Sequence, residues 1–163
     1  IECPDPVIIF EPKRRYWLKG EVDFSDTSFD PFSAQVVREG TDATIVAYGP
    51  LVPVALAAAE AAVEDGRSIE VIDLRSISPL DVPTVAASVA KTGRLIVAHE
   101  APTFGGMGGE LAAAITERCF YSLQAPVIRV GGYYMPYPIS RVEEEYVPDI
   151  DRILEAVDRA FDY

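Results

Sequence analysis

The chain has 163 residues, 49% hydrophobic and 25% charged, which suits one globular domain that needs neither disulfide nor metal to fold. Its formal net charge of -12 argues against nucleic acid and anionic membranes as partners, since both demand cationic neutralisation. Cys3 and Cys119 form no CxxC pair, and the single histidine cannot complete a zinc set with them.

Residues 7–11 (VIIFE), bracketed by Pro6 and Pro12, predict a buried strand that needs a sheet to join. Residues 13–33 are charged, aromatic and irregular, and read as a linker. From residue 34 the pattern becomes regular. Residues 34–39 predict a strand, Gly40-Thr41-Asp42 a turn, and residues 43–48 (ATIVAY) a second strand. So short a connection implies a hairpin, with the first strand antiparallel to the second. Residues 51–64 predict a helix stopped by Gly66, and residues 69–74 (IEVIDL) a third strand. Asp81 caps a helix reaching Thr92, and Gly93 ends it. Residues 94–98 predict a fourth strand. The glycine-rich turn 105–109 opens a helix reaching Tyr121. Residues 127–130 predict a fifth strand, and residues 149–161 the closing helix. Strands alternating with helices imply right-handed crossovers. The expected fold is a three-layer α/β/α domain whose five-stranded sheet is mostly parallel with one antiparallel strand.

Gly105, Gly106, Gly108 and Gly109 follow a strand and open a helix, where a dinucleotide fingerprint would sit. Leu111 stands at the third glycine position, so packing glycines that let helix and sheet approach closely fit better. His99 lies beside Glu100 at the C-terminal end of a predicted parallel strand, the edge where open α/β sheets bind ligands. A His-Glu pair can do acid–base work, but no Ser or Cys nucleophile setting accompanies it. A structural or interface histidine is the better reading. Asp73 and Arg75, after the third strand, read as an ion pair or loop anchor.

Acids crowd residues 20–75 and 141–163, while residues 76–140 balance. Glu143, Glu144 and Glu145 form a charge run. Asp158 and Asp162 gather at the end of the closing helix, where the dipole disfavours them, and Tyr163 adds a terminal carboxylate. Either the run is a solvated face, or it docks a basic module. No apolar run is long enough to span a bilayer, and no signal peptide is seen. A start at Ile1 rather than Met, with a strand before a linker, points to a fragment or processed product.

Several blocks together resemble one family. They are PVIIFEPKRRY from Pro6, REGTDATIVAYG from Arg38, VIDLRSISPLDV from Val71, KTGRLIVAHEAPTFGGMGG from Lys91, QAPVIRVGG from Gln124 and PYPISRVEEEYVPDIDRI from Pro136. In this order they are similar to the C-terminal, transketolase-type half of the β subunit of the decarboxylating component of 2-oxoacid dehydrogenase complexes. RCFYSLQAP and VGGY lean toward the branched-chain enzyme over the pyruvate enzyme.

The resemblance implies an α2β2 enzyme using thiamine diphosphate and Mg, held between an α subunit and an N-terminal pyrimidine-binding domain of β. The activating glutamate and catalytic histidine lie in that domain, of which residues 1–12 would be a remnant strand. Residues 34–163 would be the transketolase C-terminal domain. His99 matches the HEAP segment, not the catalytic histidine. This chain would then bind no cofactor or metal and catalyse nothing alone. Its implied partners are a second β subunit, the α subunit and the acyltransferase core. The expected subunit interface is His99, Glu100, Phe104, Gly105, Gly106 and Gly108; the expected docking residues are Glu143, Glu144, Glu145, Asp162 and Tyr163. The implied compartment is bacterial cytoplasm or mitochondrial matrix.

Overall fold

The computed structural model describes residues 3–21, 25 and 30–163. Five strands form one sheet: β1 (Gln35–Arg38), β2 (Ala43–Ala47), β3 (Ile69–Asp73), β4 (Leu95–Pro102) and β5 (Ile128–Gly132), in the order β1-β3-β2-β4-β5. Every neighbouring pair is parallel except β1–β3. The helices are α1 (Leu51–Ala61), α2 (Val82–Thr92), α3 (Met107–Cys119), the short α4 (Glu143–Tyr146) and α5 (Ile150–Phe161).

Strand alternation sorts the core into two layers. Ala43, Ile45, Ala47, Ile96, Ala98, Ile128 and Val130 turn toward α1 and α5. Val46, Ile72, Leu95 and Val97 turn toward α2 and α3. Central β2 is buried at every residue, as a parallel strand covered on both faces must be. The alanines of α1 (Ala55, Ala58, Ala59) are fully buried against the sheet.

Local chemistry sets the helix ends. The Asp81 carboxylate accepts the Thr84 N–H at 3.1 Å, and also the Ala34 N–H at 2.9 Å, tying the cap of α2 to the entry of β1. Gly93 ends α2 in the left-handed conformation. Asp149 caps α5 by accepting the Arg152 N–H. Asp73 accepts the backbone N–H of Arg75, a loop anchor.

Two expectations change. β1 is antiparallel as expected, but its mate is β3, not β2: Gln35 faces Asp73 and Val36 faces Ile72. The turn at Gly40 carries the chain across the start of β3 instead of folding it back. Thr41 and Asp42 N–H groups both donate to the Ser68 carbonyl, and Ser68 N–H donates to the Asp42 carboxylate. A Cβ on Gly40 would lie 2.2 Å from the Glu70 nitrogen, so only glycine lets the backbones cross there. Second, residues 7–11 form no strand. Ile8, Ile9 and Phe10 are exposed, because an apolar run without a neighbouring strand has no ladder to join.

Candidate functional site

The strand order reverses between β2 and β4, and the crevice outside their C-terminal ends is where doubly wound sheets take ligands. A cleft of ≈ 430 Å³ lies there, lined by Pro50, Leu51 and Val54 after β2, Glu100 from β4, and Glu144, Asp149 and Asp151. The chain's own N-terminal segment forms one wall. Arg15 donates to the Pro50 carbonyl, and Arg14 stands 3.7 Å from both Glu100 and Glu143. Residues read as a linker thus dock in part on the crevice.

Burial raises the pKa of Glu100, against Arg14, which lowers it; the nearby Glu143 raises it further. Its Oε1 is buried without a hydrogen bond among the described residues. Tyr137 donates to the Glu143 carboxylate; its pKa is pushed up to about 12 by loss of solvation and by that bond. The crevice thus sets the carboxyl groups of Glu100, Glu144, Asp149 and Asp151 beside the guanidiniums of Arg14 and Arg15.

His99 is fully buried. Its Nδ1 lies 2.8 Å from the Ala101 carbonyl, which can only accept, so the proton sits on Nδ1. Burial lowers its pKa, keeping the ring neutral. Nε2 is left without a hydrogen-bond partner among the described residues. The ring fills the space beneath the glycine turn. A Cβ on Gly108 would fall 2.6 Å from Nε2, and one on Gly106 2.6 Å from Cε1 and 2.4 Å from the Pro102 carbonyl. The glycines therefore pack against an imidazole, and a phosphate has no room where a dinucleotide loop would hold one.

The residues expected at a subunit interface separate into three groups. Phe104 is 72% exposed, stacked edge-on at 4.8 Å against the exposed Tyr134, and Gly105 is exposed beside it. Gly106, Gly108 and His99 lie inward beneath them. Glu100 belongs to the crevice.

The docking set also divides. Glu143, Glu144 and Glu145 precede α5, whereas Asp162 and Tyr163 follow it, about 18 Å away along a helix of 12 residues. Of the acids at the end of α5, Asp158 has a cationic partner after all. Asp158 pairs with Arg67, Arg94 donates to the Ala160 carbonyl, and both guanidiniums lie 4.6 Å from the Phe161 ring. Sequence reasoning missed these cations because they come from distant elements.

The transketolase C-terminal domain model matches residues 33–153. The chain belongs to the transketolase C-terminal domain family. A pyruvate dehydrogenase E1 component subunit beta from Leifsonia xyli is 55% identical over 163 residues, 100% of this chain and 48% of that relative. A 3-methyl-2-oxobutanoate dehydrogenase subunit beta from Mycobacterium tuberculosis is 50% identical over 160 residues, 98% of this chain and 46% of that relative. A solved split-gene transketolase, described as an inactive beta4 tetramer, superposes with a TM-score of 0.70 at 30% identity, over 88% of this chain and 46% of that one. The chain spans about half the length of these relatives. Within the family, this domain is homologous to β subunits of both the pyruvate and the branched-chain type.

The glycine turn does not fit the pyrophosphate of thiamine diphosphate. His99 fills the space beneath it, where a phosphate loop would need room. Among the described residues, no group of three or more His, Cys, Asp or Glu is placed to hold a metal. No helix among them is long and apolar enough to cross a membrane.

Proposed function

We propose that the chain is the assembly half of the β subunit of a thiamine-diphosphate-dependent 2-oxoacid dehydrogenase. The observation that carries this is identity of 55% along the whole chain to one half of such a subunit. The relatives' names span pyruvate and branched-chain substrates at 55% and 50% identity, so the leaning toward the branched-chain enzyme has no separate support. Residues 1–12 would belong to the preceding pyrimidine-binding domain, whose sheet supplies the neighbour that residues 7–11 lack here. The domain contributes no catalytic group. It holds a second β subunit through the Phe104–Tyr134 face, contacts α, and docks the acyltransferase core through its acidic ends. The compartment would be bacterial cytoplasm or mitochondrial matrix.

The test joins the full-length subunit with its α partner and compares decarboxylation of pyruvate with that of 3-methyl-2-oxobutanoate. Turnover of one or both, abolished when the α subunit is omitted, is the expected outcome. Titration of the 163-residue chain with thiamine diphosphate and Mg should release no heat. Absence of turnover of either substrate by the assembled enzyme would overturn the reading.

A further inference from the structure

A second cleft, of ≈ 250 Å³, lies between β5 and α5, on the outer edge of the sheet. Three arginines line it: Arg129 from β5, and Arg152 and Arg159 from α5, with Tyr133, Thr103 and Glu155. Arg152 and Arg159 are seven residues apart, hence on one helix face. In a chain of net charge -12, a concavity holding three cations and one carboxylate is out of keeping with its surroundings. None of the three forms an ion pair within 4.0 Å among the described residues, although Arg14, Arg38, Arg67 and Lys91 all do.

Two of the guanidiniums are held in place by neutral groups. Arg152 donates to the Gly131 carbonyl and, at 3.3 Å, to the Tyr146 carbonyl, and lies 4.7 Å from the Tyr133 ring centre. Arg129 donates to the Thr103 carbonyl at 3.1 Å. Carbonyls fix a guanidinium without cancelling its charge, and each guanidinium has five N–H donors, so donors remain. Arg159 has no partner among the described residues. Fixed, uncancelled guanidiniums facing one concavity are the recognition chemistry of phosphate and carboxylate, whose oxygens accept paired N–H bonds.

We propose that Arg129, Arg152 and Arg159, with Tyr133, form a binding site for a small oxyanion, a phosphate monoester or a carboxylate. Size narrows the class. Pockets for drug-sized ligands span roughly 300–1,000 Å³, so this one holds an anion of a few heavy atoms and not a dinucleotide or thiamine diphosphate. Glu155, on the same wall, opposes the anion and keeps its affinity modest. The site is separate from the crevice at β2 and β4, and through Tyr134, which also lines it, it borders the Phe104–Tyr134 face proposed above as a subunit interface.

The experiment is a chemical-shift titration of the protein at low chloride, with inorganic phosphate in one arm and succinate in the other. Saturable shifts at Arg129, Gly131, Tyr133 and Arg159 are expected. Arg159→Gln, at an exposed position without partners among the described residues, should weaken binding about tenfold, the worth of one charge-assisted contact. Glu155→Gln should tighten it. Saturation by phosphate alone assigns a phosphate monoester, by succinate alone a carboxylate, and by both the shared oxyanion chemistry. Absence of saturable shifts in both arms, or shifts indifferent to Arg159→Gln in a variant of unchanged melting temperature, would overturn the proposal.

Discussion

His99 and Gly108 exclude any added atom between them. A methyl group on Gly108 would meet the imidazole at 2.6 Å, beneath a helix start that cannot retreat from the sheet. Gly108→Ala should therefore destabilise by about 2 kcal/mol, within the range for overpacked cores. Pairing it with His99→Ala should recover part of that loss, since the two changes share one space; urea denaturation of the four-member cycle measures it. The imidazole also gives a pH dependence of determinate sign. Its folded pKa lies below the ordinary 6.5, so as pH falls through 6.5 the unfolded chain takes up a proton that the folded one refuses. The stability this provides is present above 6.5 and declines toward the lower folded pKa. Glu100 acts oppositely: its raised pKa makes the folded state protonate first, so stability from that group rises on acidification through that pKa. Comparing wild type with His99→Gln separates the two. The stability difference should shift in favour of the variant as pH drops below 6.5, and a difference constant with pH would refute a buried neutral ring.

At the scale of elements, Gly40 governs how β1 reaches its partner. Gly40→Ala places a Cβ against backbone, 2.2 Å from the Glu70 nitrogen and 2.3 Å from the Ile69 carbonyl carbon, where no side chain can yield. A loss of about 3 kcal/mol or more is expected, with detachment of β1 seen as faster hydrogen exchange in residues 35–38 and 71–73. Much of this layer was readable from residue order. Asp81 and Gly93 bracket α2, and Asp149 opens α5, because capping is local chemistry. The hairpin was misread because a three-residue link looks the same whether the chain turns back or steps across the end of a third strand. That choice depends on Ser68 and Ile69, far along the chain. The inward role of Gly106 and Gly108 was foreseeable as packing, but not that their partner is His99. The arginine cleft joins β5 to α5. Its only trace in the sequence is the seven-residue spacing of Arg152 and Arg159, which fixes a shared helix face and says nothing of Arg129.

For the whole molecule, the exposed Phe104–Tyr134 pair lies in a charge-poor stretch, the composition of an interface centre. Two-fold contact through it would be isologous. Sedimentation equilibrium should show self-association that Phe104→Asp weakens by about tenfold or more, as for an aromatic anchor. A monomer at high concentration would contradict this. The acidic ends of α5 lie about 18 Å apart, beyond the Debye length of about 8 Å at physiological ionic strength. They should therefore act as independent sites toward a basic module. Removal of Asp162 and Tyr163, and the double change Glu144→Gln/Glu145→Gln, should each weaken binding to the acyltransferase subunit-binding domain. Their effects should add, and both should fade with salt. Surface plasmon resonance across ionic strengths measures this; indifference to both changes would leave the carboxylates as solvated charge.

The crossing at Gly40 also sets an order of events during synthesis. A true hairpin closes within microseconds, as soon as both its strands have left the ribosome. Here the four residues of β1 emerge first yet have no mate until residues 71–73 follow, after the whole of β2 and α1. The edge strand must wait, unpaired, while the core it will border is still being translated. It can be fastened only once β3 exists, so the first strand of the domain stays without its mate until the third has been made.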